Sequence, residues 1–194
     1  MLNGAAPFDA PGLMLFNSWV FAVFFRVVGG AYFALGRSLR AQNLMLLVAS
    51  YVFYGAWDWR FLALLMFSTT LDYYVAVLLE RAEQSRRKRL LLVSVIANLT
   101  ILGFFKYFNF FIGSMESLLA SAGVSVPRLG LEVVLPVGIS FYSFQAMSYT
   151  IDLYRCKPAC RDLPEFALFV AFFPQLVAGP IERATDLLPQ IQKP

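Results

Sequence analysis

From Met14 onward the chain alternates long apolar stretches with short basic segments. A bilayer core about 30 Å thick needs roughly 20 apolar residues per helix, fewer where the helix ends are buried in protein. Five stretches meet that demand: Met14–Leu35, Ala41–Trp57, Phe61–Leu79, Leu90–Phe105 and Leu131–Tyr154. Composition agrees, with 59% hydrophobic and only 14% charged residues, against roughly 45–50% and about 25% in soluble domains. A compact soluble domain of this make-up would expose far too much apolar surface. The expected fold is therefore an all-α, polytopic transmembrane helical bundle.

The basic residues test that layout, because Lys and Arg near span ends collect on the cytoplasmic side. Of sixteen, ten fall on one face: Arg37, Arg40, Arg81, Arg86, Arg87, Lys88, Arg89, Arg155, Lys157 and Arg161. The other face holds Arg60, Lys106 and Arg128, with Trp57 and Trp59 flanking a turn at headgroup level. The amino terminus is thus expected outside. The first basic residue is Arg26, so no positive region precedes the first apolar run, and that helix is expected to stay in the mature protein. The net charge of +4 forms no stripe along which a phosphate backbone would run, so no nucleic-acid partner is expected; membrane lipid is.

Residues 106–130 read as an interfacial amphipathic helix, aromatic at its start. The segment Phe166–Ile181, FALFVAFFPQLVAGPI, is apolar but short and broken by Pro174, Gly179 and Pro180, which is the character of a re-entrant hairpin. Irregular backbone at membrane depth must line protein or a wet cavity. Nothing repeats internally, and the chain reads as one domain or part of one.

Polar residues inside apolar spans cost free energy unless they meet a partner or water, so they point to function. In the fifth stretch Tyr142, Gln145, Tyr149 and Asp152 follow a 3-4-3 spacing with Ser148 in the same arc, giving one polar helix face. That face is either the wall of a passage for a polar substrate or hydrogen-bonding glue between helices. Asp72 reads as a structural residue, Arg26 as one that pairs with an acid or snorkels, and Arg86–Arg89 as an orientation signal with anionic-lipid binding as the alternative. Histidine is absent, which removes the commonest general acid-base group near neutral pH. Cys156 and Cys160 lack the further ligands zinc would need, so neither a metal site nor a cofactor is expected.

Two segments go beyond composition: LPVGISFYSFQAMSYTIDLYR, Leu135–Arg155, and FFPQLVAGPIERATDLLPQI, Phe172–Ile191. Together they resemble the membrane-bound O-acyltransferase family, in particular its bacterial branch of alginate O-acetyltransferases and D-alanyl transferases of teichoic acids. MLFNSWVF at Met14 is similar to the start of the alginate-type members, which makes residues 1–13 an extension and 14–194 the matching part of the domain. The resemblance implies an all-helical enzyme of the bacterial inner membrane that moves an acyl group from a cytoplasmic-side donor to a hydroxyl of an envelope polysaccharide. Periplasmic acetylation partners are implied as well.

Family members are more than twice as long, and their catalytic histidine falls beyond this sequence. The chain is therefore expected to be the amino-terminal portion, incomplete at its carboxyl-terminal end, with no catalytic residue of its own and inactive alone. What the resemblance carries over is the hairpin of Phe173, Pro174, Gln175, Gly179, Pro180 and Arg183, beside the face that begins at Gly138 and Ser140. The acceptor polymer and the acyl donor stay open. The competing readings are a transport or channel component, since broken membrane segments also build transport routes, and a non-catalytic scaffold of polymer assembly.

Overall fold

The computed structural model describes residues 18–36, 38–121, 133–155, 160–179 and 182–193, and these contain eight helices and no strand. They are α1 Trp19–Ala34, α2 Leu39–Gly55, α3 Trp59–Arg81, α4 Gln84–Ser121, α5 Ile139–Tyr154, α6 Leu163–Ala171, α7 Phe173–Ala178 and α8 Ala184–Gln192. Two of them, α3 and α4, are long and apolar enough to cross a membrane. At about 1.5 Å per residue the 16 residues of α5 rise only about 24 Å.

The first three helices lie within a few residues of the apolar stretches. Ser18 caps α1, its hydroxyl accepting from the Phe21 amide at 3.1 Å. Asp58 caps α3, accepting from the Arg60 amide at 2.9 Å while its carboxylate grips the same residue's guanidinium. Trp59 is exposed at this turn.

The later elements depart from expectation. No break occurs at Lys106: α4 runs unbroken for 38 residues, about 57 Å, so the interfacial helix is its continuation. The reason is local, since no proline lies between Gln84 and Ser121 and the two glycines there, Gly103 and Gly113, leave an α-helix intact. The fifth helix begins at Ile139 instead of Leu131, because Pro136 has no amide to donate and Gly138 turns left-handed at φ +75° to start it. A Cβ on Gly138 would sit 3.0 Å from the Leu176 carbonyl oxygen, so glycine is needed there on both counts.

The segment from Phe166 folds as two short helices parted at Phe172, and the tail forms α8. Residues Phe166–Ala171 of α6 are all buried. A helix apolar on every side belongs at the centre of a packed protein, and α6 sits there, touching α2, α3, α5 and α8. Tyr149 stacks on Phe166 with ring centroids 4.7 Å apart.

The contacts at the helix ends set α2 to α5 alternating in direction, with Arg40, Arg87 and Arg161 at one end. Arg87 at the start of α4 donates to the carbonyls of Leu153 at 2.7 Å, Tyr154 at 3.1 Å and Leu79 at 3.3 Å, closing the carboxyl ends of α5 and α3 together. Arg161 pairs with Glu80 at 3.2 Å, and Arg40 lines a shallow pocket with Asp162 and Glu165. At the opposite end the Tyr54 hydroxyl donates to the Val137 carbonyl at 2.8 Å, and the Asn109 side chain exchanges two hydrogen bonds with the Val133 backbone.

Arg26 makes no ion pair among the described residues. It stands on the exposed side of α1, because that helix packs through Phe21, Phe24 and Val28 on the other. The outer flanks of α1 and α4 are apolar and open, with Val23, Val27, Ile96, Phe104 and Phe110 among the exposed side chains.

Candidate functional site

The break between α6 and α7 is where backbone chemistry leaves the ordinary helical pattern. In an uninterrupted helix the Phe173 amide would bond the Phe169 carbonyl. Phe172 turns to φ −56°, ψ 111°, and Pro174 follows with no amide at all. Two of the orphaned groups are satisfied from outside: Phe173 N–H donates to Ser50 Oγ of α2 at 3.2 Å, and Gln145 Nε2 of α5 donates to Phe169 O at 2.6 Å. The helix interruption is thus held by one hydroxyl and one carboxamide from two different helices.

Of the polar face expected on α5, the structure buries Tyr142, Gln145 and Tyr149 against α2 and α6 and leaves Ser148 and Asp152 half-buried. Tyr149 is committed structurally, its hydroxyl accepting from the Cys160 amide at 2.8 Å. Ser148 donates to the Gln145 carbonyl of its own helix at 2.8 Å. The Tyr142 hydroxyl lies against that of Tyr54, whereas the Ser143 hydroxyl and Gln145 Oε1 are buried with no hydrogen-bond partner among the described residues. Unused polar capacity of this kind is rare inside proteins.

In the segment expected to form a hairpin, Phe173 and Gln175 are buried and Pro174 half-buried. Phe173 packs on Phe24 and Phe53 with centroids 5.3 and 5.5 Å away. Gly179 ends α7, and a Cβ there would meet Gln175 Cγ at 2.7 Å. Pro180 lies outside the described residues, and Arg183 is exposed at the start of α8.

A second polar cluster was not anticipated as a unit. Asp72 of α3 is fully buried, accepting from Ser94 Oγ at 2.6 Å and from Asn98 Nδ2 at 3.0 and 2.9 Å on its two oxygens. Ser68 Oγ donates to Asn98 Oδ1 at 3.1 Å, and Thr150 of α5 lies 3.3 Å from Ser94. The signal for it is present in the sequence: Ser68 and Asp72, and likewise Ser94 and Asn98, are polar pairs four apart inside apolar helices, which puts each pair on one face.

Cys160 is buried beside Asp162 and Glu165, and burial pushes its thiol up to about 11. It stays protonated at neutral pH, donating weakly to the Asp162 carbonyl at 3.4 Å. Maleimide labelling at pH 7.5 should leave Cys160 unmodified in the folded chain and modify it fully once detergent is replaced by denaturant. Equal rates in both states would contradict the enclosed position. Cys156 lies outside the described residues, and among the described residues no group of three metal-ligating side chains forms.

No family model and no solved structure matches the chain. Among characterised sequences it is 44% identical over 181 residues to the probable alginate O-acetylase of Pseudomonas syringae pv. tomato, covering 91% of this chain and 34% of that protein. The probable alginate O-acetylase of Pseudomonas putida is also 44% identical, with 91% and 37% covered. A peptidoglycan O-acetyltransferase of Helicobacter pylori is 32% identical over 210 residues, with 93% and 39% covered. The chain therefore spans about a third of the length of the curated relatives it matches, and those relatives bear the acyltransferase names that its motifs suggest.

Proposed function

We propose that the chain is the amino-terminal part of a membrane-bound O-acyltransferase that transfers acetyl groups to hydroxyls of an exported bacterial polysaccharide such as alginate. The observation that carries this reading is the 44% identity to alginate O-acetylases across 91% of the chain. In this reading α1 to α5 cross the inner membrane, with the amino terminus outside and the basic end in the cytoplasm. The open apolar flanks of α1 and α4 meet lipid or further polypeptide, and α6 with α7 forms the re-entrant segment.

Tyr142, Gln145, Ser148, Tyr149 and Asp152 then supply one wall of the substrate passage, and Phe173, Pro174, Gln175, Gly179, Pro180 and Arg183 another. The unpartnered oxygens of Ser143 and Gln145 support that assignment, since a polar passage needs hydrogen-bonding groups not already consumed by the protein. Acyl transfer to a hydroxyl calls for a general base, and the sequence has no histidine. The base is assigned to polypeptide outside these residues, and envelope acetylation partners act with the assembled enzyme.

The test is complementation in a strain deleted for its alginate O-acetylase. Co-expression of this chain with the remaining part of a relative should restore ester-linked acetate on exported alginate, measured by hydroxylamine release, whereas either piece alone should not. Absence of ester from the co-expressing strain, with both pieces present in the membrane, would refute the proposal. A solute flux in vesicles from that strain would then favour a transport component.

A further inference from the structure

The basic run Arg86-Arg87-Lys88-Arg89 is divided by the helix it begins. Arg87 turns inward and is consumed by the carbonyls of α3 and α5. Arg86 and Arg89, three residues apart, share a different face of α4. With Arg81 from the last turn of α3 they border a notch of about 680 Å³, whose other walls include Leu78, Glu83 and Leu90. All three arginines are exposed, and none forms an ion pair among the described residues. Glu83 contributes one carboxylate, so the notch keeps an excess of positive charge.

The walls change character along the helix axes. Past the arginines the surface of α3 and α4 is apolar and open, with Leu78 at 55%, Leu92 at 45% and Val93 at 52% exposure. Guanidinium forks match phosphate oxygens in pairs, and three of them converging from two helices suit a singly charged phosphodiester. An adjoining apolar strip on the membrane side suits acyl chains. A soluble anion would use only the first of these features.

We propose that the notch is a binding site for an anionic phospholipid, its phosphodiester among Arg81, Arg86 and Arg89 and its acyl chains along Leu78, Leu90 and Leu92. The assignment rests on the membrane-spanning reading of α3 and α4 and is independent of acetyl transfer. The lipid would sit directly over the turn that Arg87 fastens to α5, coupling headgroup charge to the packing of three helices.

Native mass spectrometry of the full chain in detergent, titrated with phosphatidylglycerol or phosphatidylcholine, tests this. Phosphatidylglycerol should bind at least about tenfold more tightly. The triple variant Arg81→Gln, Arg86→Gln, Arg89→Gln should lose that preference, while Arg40→Gln, Lys88→Gln, Arg155→Gln, an equal charge loss at the same end, should keep it. Glycerol 3-phosphate should fail to displace the lipid even at about hundredfold excess, because it lacks the acyl chains.

Equal binding of the two lipids, equal loss in both triple variants, or ready displacement by glycerol 3-phosphate would each overturn the proposal. Carbonate extraction of membranes from the same cells separates the two levels. Release of the chain into the soluble fraction would refute the membrane reading itself, whereas retention with no lipid preference would refute only the notch.

Discussion

Asp72→Ala is expected to cost about 2–4 kcal/mol of stability, since two buried neutral donors lose their principal acceptor at about 1–3 kcal/mol apiece, and to lower the midpoint of thermal unfolding in detergent. The carboxylate receives three hydrogen bonds from Ser94 and Asn98, and the acceptors left to those donors are the longer contact from Ser94 to Thr150 Oγ1 at 3.3 Å and the Ser94 carbonyl, which already accepts from Asn98 at 3.0 Å. Removing it leaves a buried hydroxyl and a buried carboxamide short of their principal acceptor. Asp72→Asn should cost less, since one oxygen still accepts from Ser94, but its new amide would face the amide of Asn98. The exchange Asp72→Asn with Asn98→Asp restores a donor opposite an acceptor and should recover much of the loss. An Asp72→Ala chain that unfolds within about 1 kcal/mol of its parent, the value of a single ordinary hydrogen bond, would show that apolar packing alone holds the three helices.

Gly179→Leu is expected to lower acetylation of alginate by about a hundredfold in the complementation strain, the scale of loss when groups that position substrate shift by an ångström. The side chain has no room, because even its first carbon would overlap Gln175 at both Cγ, 2.7 Å, and Cα, 2.8 Å. Gln175 is buried and Phe172–Phe173 is fixed by Ser50, so the displacement must pass into α7 and the segment that follows. Because Gly179 lies at the end of a six-residue helix and not in the core of α6, membrane content of the variant should stay near the parent's. Full ester content with Gly179→Leu would remove α7 and the residues after it from the proposed substrate passage.

Much of the bundle was legible because hydrophobic length and loop charge report on the same thing. The helices α1 to α3 follow the apolar stretches closely, and Arg87, Arg161 and Arg40 meet at one end through contacts that sequence cannot reveal. The continuity of α4 was not legible, since Lys106 and the aromatic cluster after it look like an interface while the backbone there contains nothing that would stop a helix. The late start of α5 was hidden in a stretch whose apolar character continues through Pro136 and Gly138. Apolar content marks what is buried, and only those two residues mark where helix begins.

The candidate site was legible by residue type and not by partnership. Tyr142, Gln145 and Tyr149 do share a face, but spacing alone could not show that Gln145 mends a broken helix or that Tyr149 holds a loop. Asp72 was visible as a buried charge, and its partners lie 22 and 26 residues away in another helix. For Arg26 two fates were open, pairing with an acid and snorkelling, and the exposed position on α1 with no ion pair among the described residues fits the second.

The interruption at Phe172 has a consequence for biogenesis. The hydroxyl that receives the Phe173 amide leaves the ribosome 123 residues earlier, and the carboxamide that serves Phe169 emerges 24 residues earlier. Translation therefore delivers the clasp before the strand of peptide it must close upon. At nine residues, about 14 Å, α6 is too short to enter a bilayer as an independent unit, so it finds its place only in a frame that older segments have already erected.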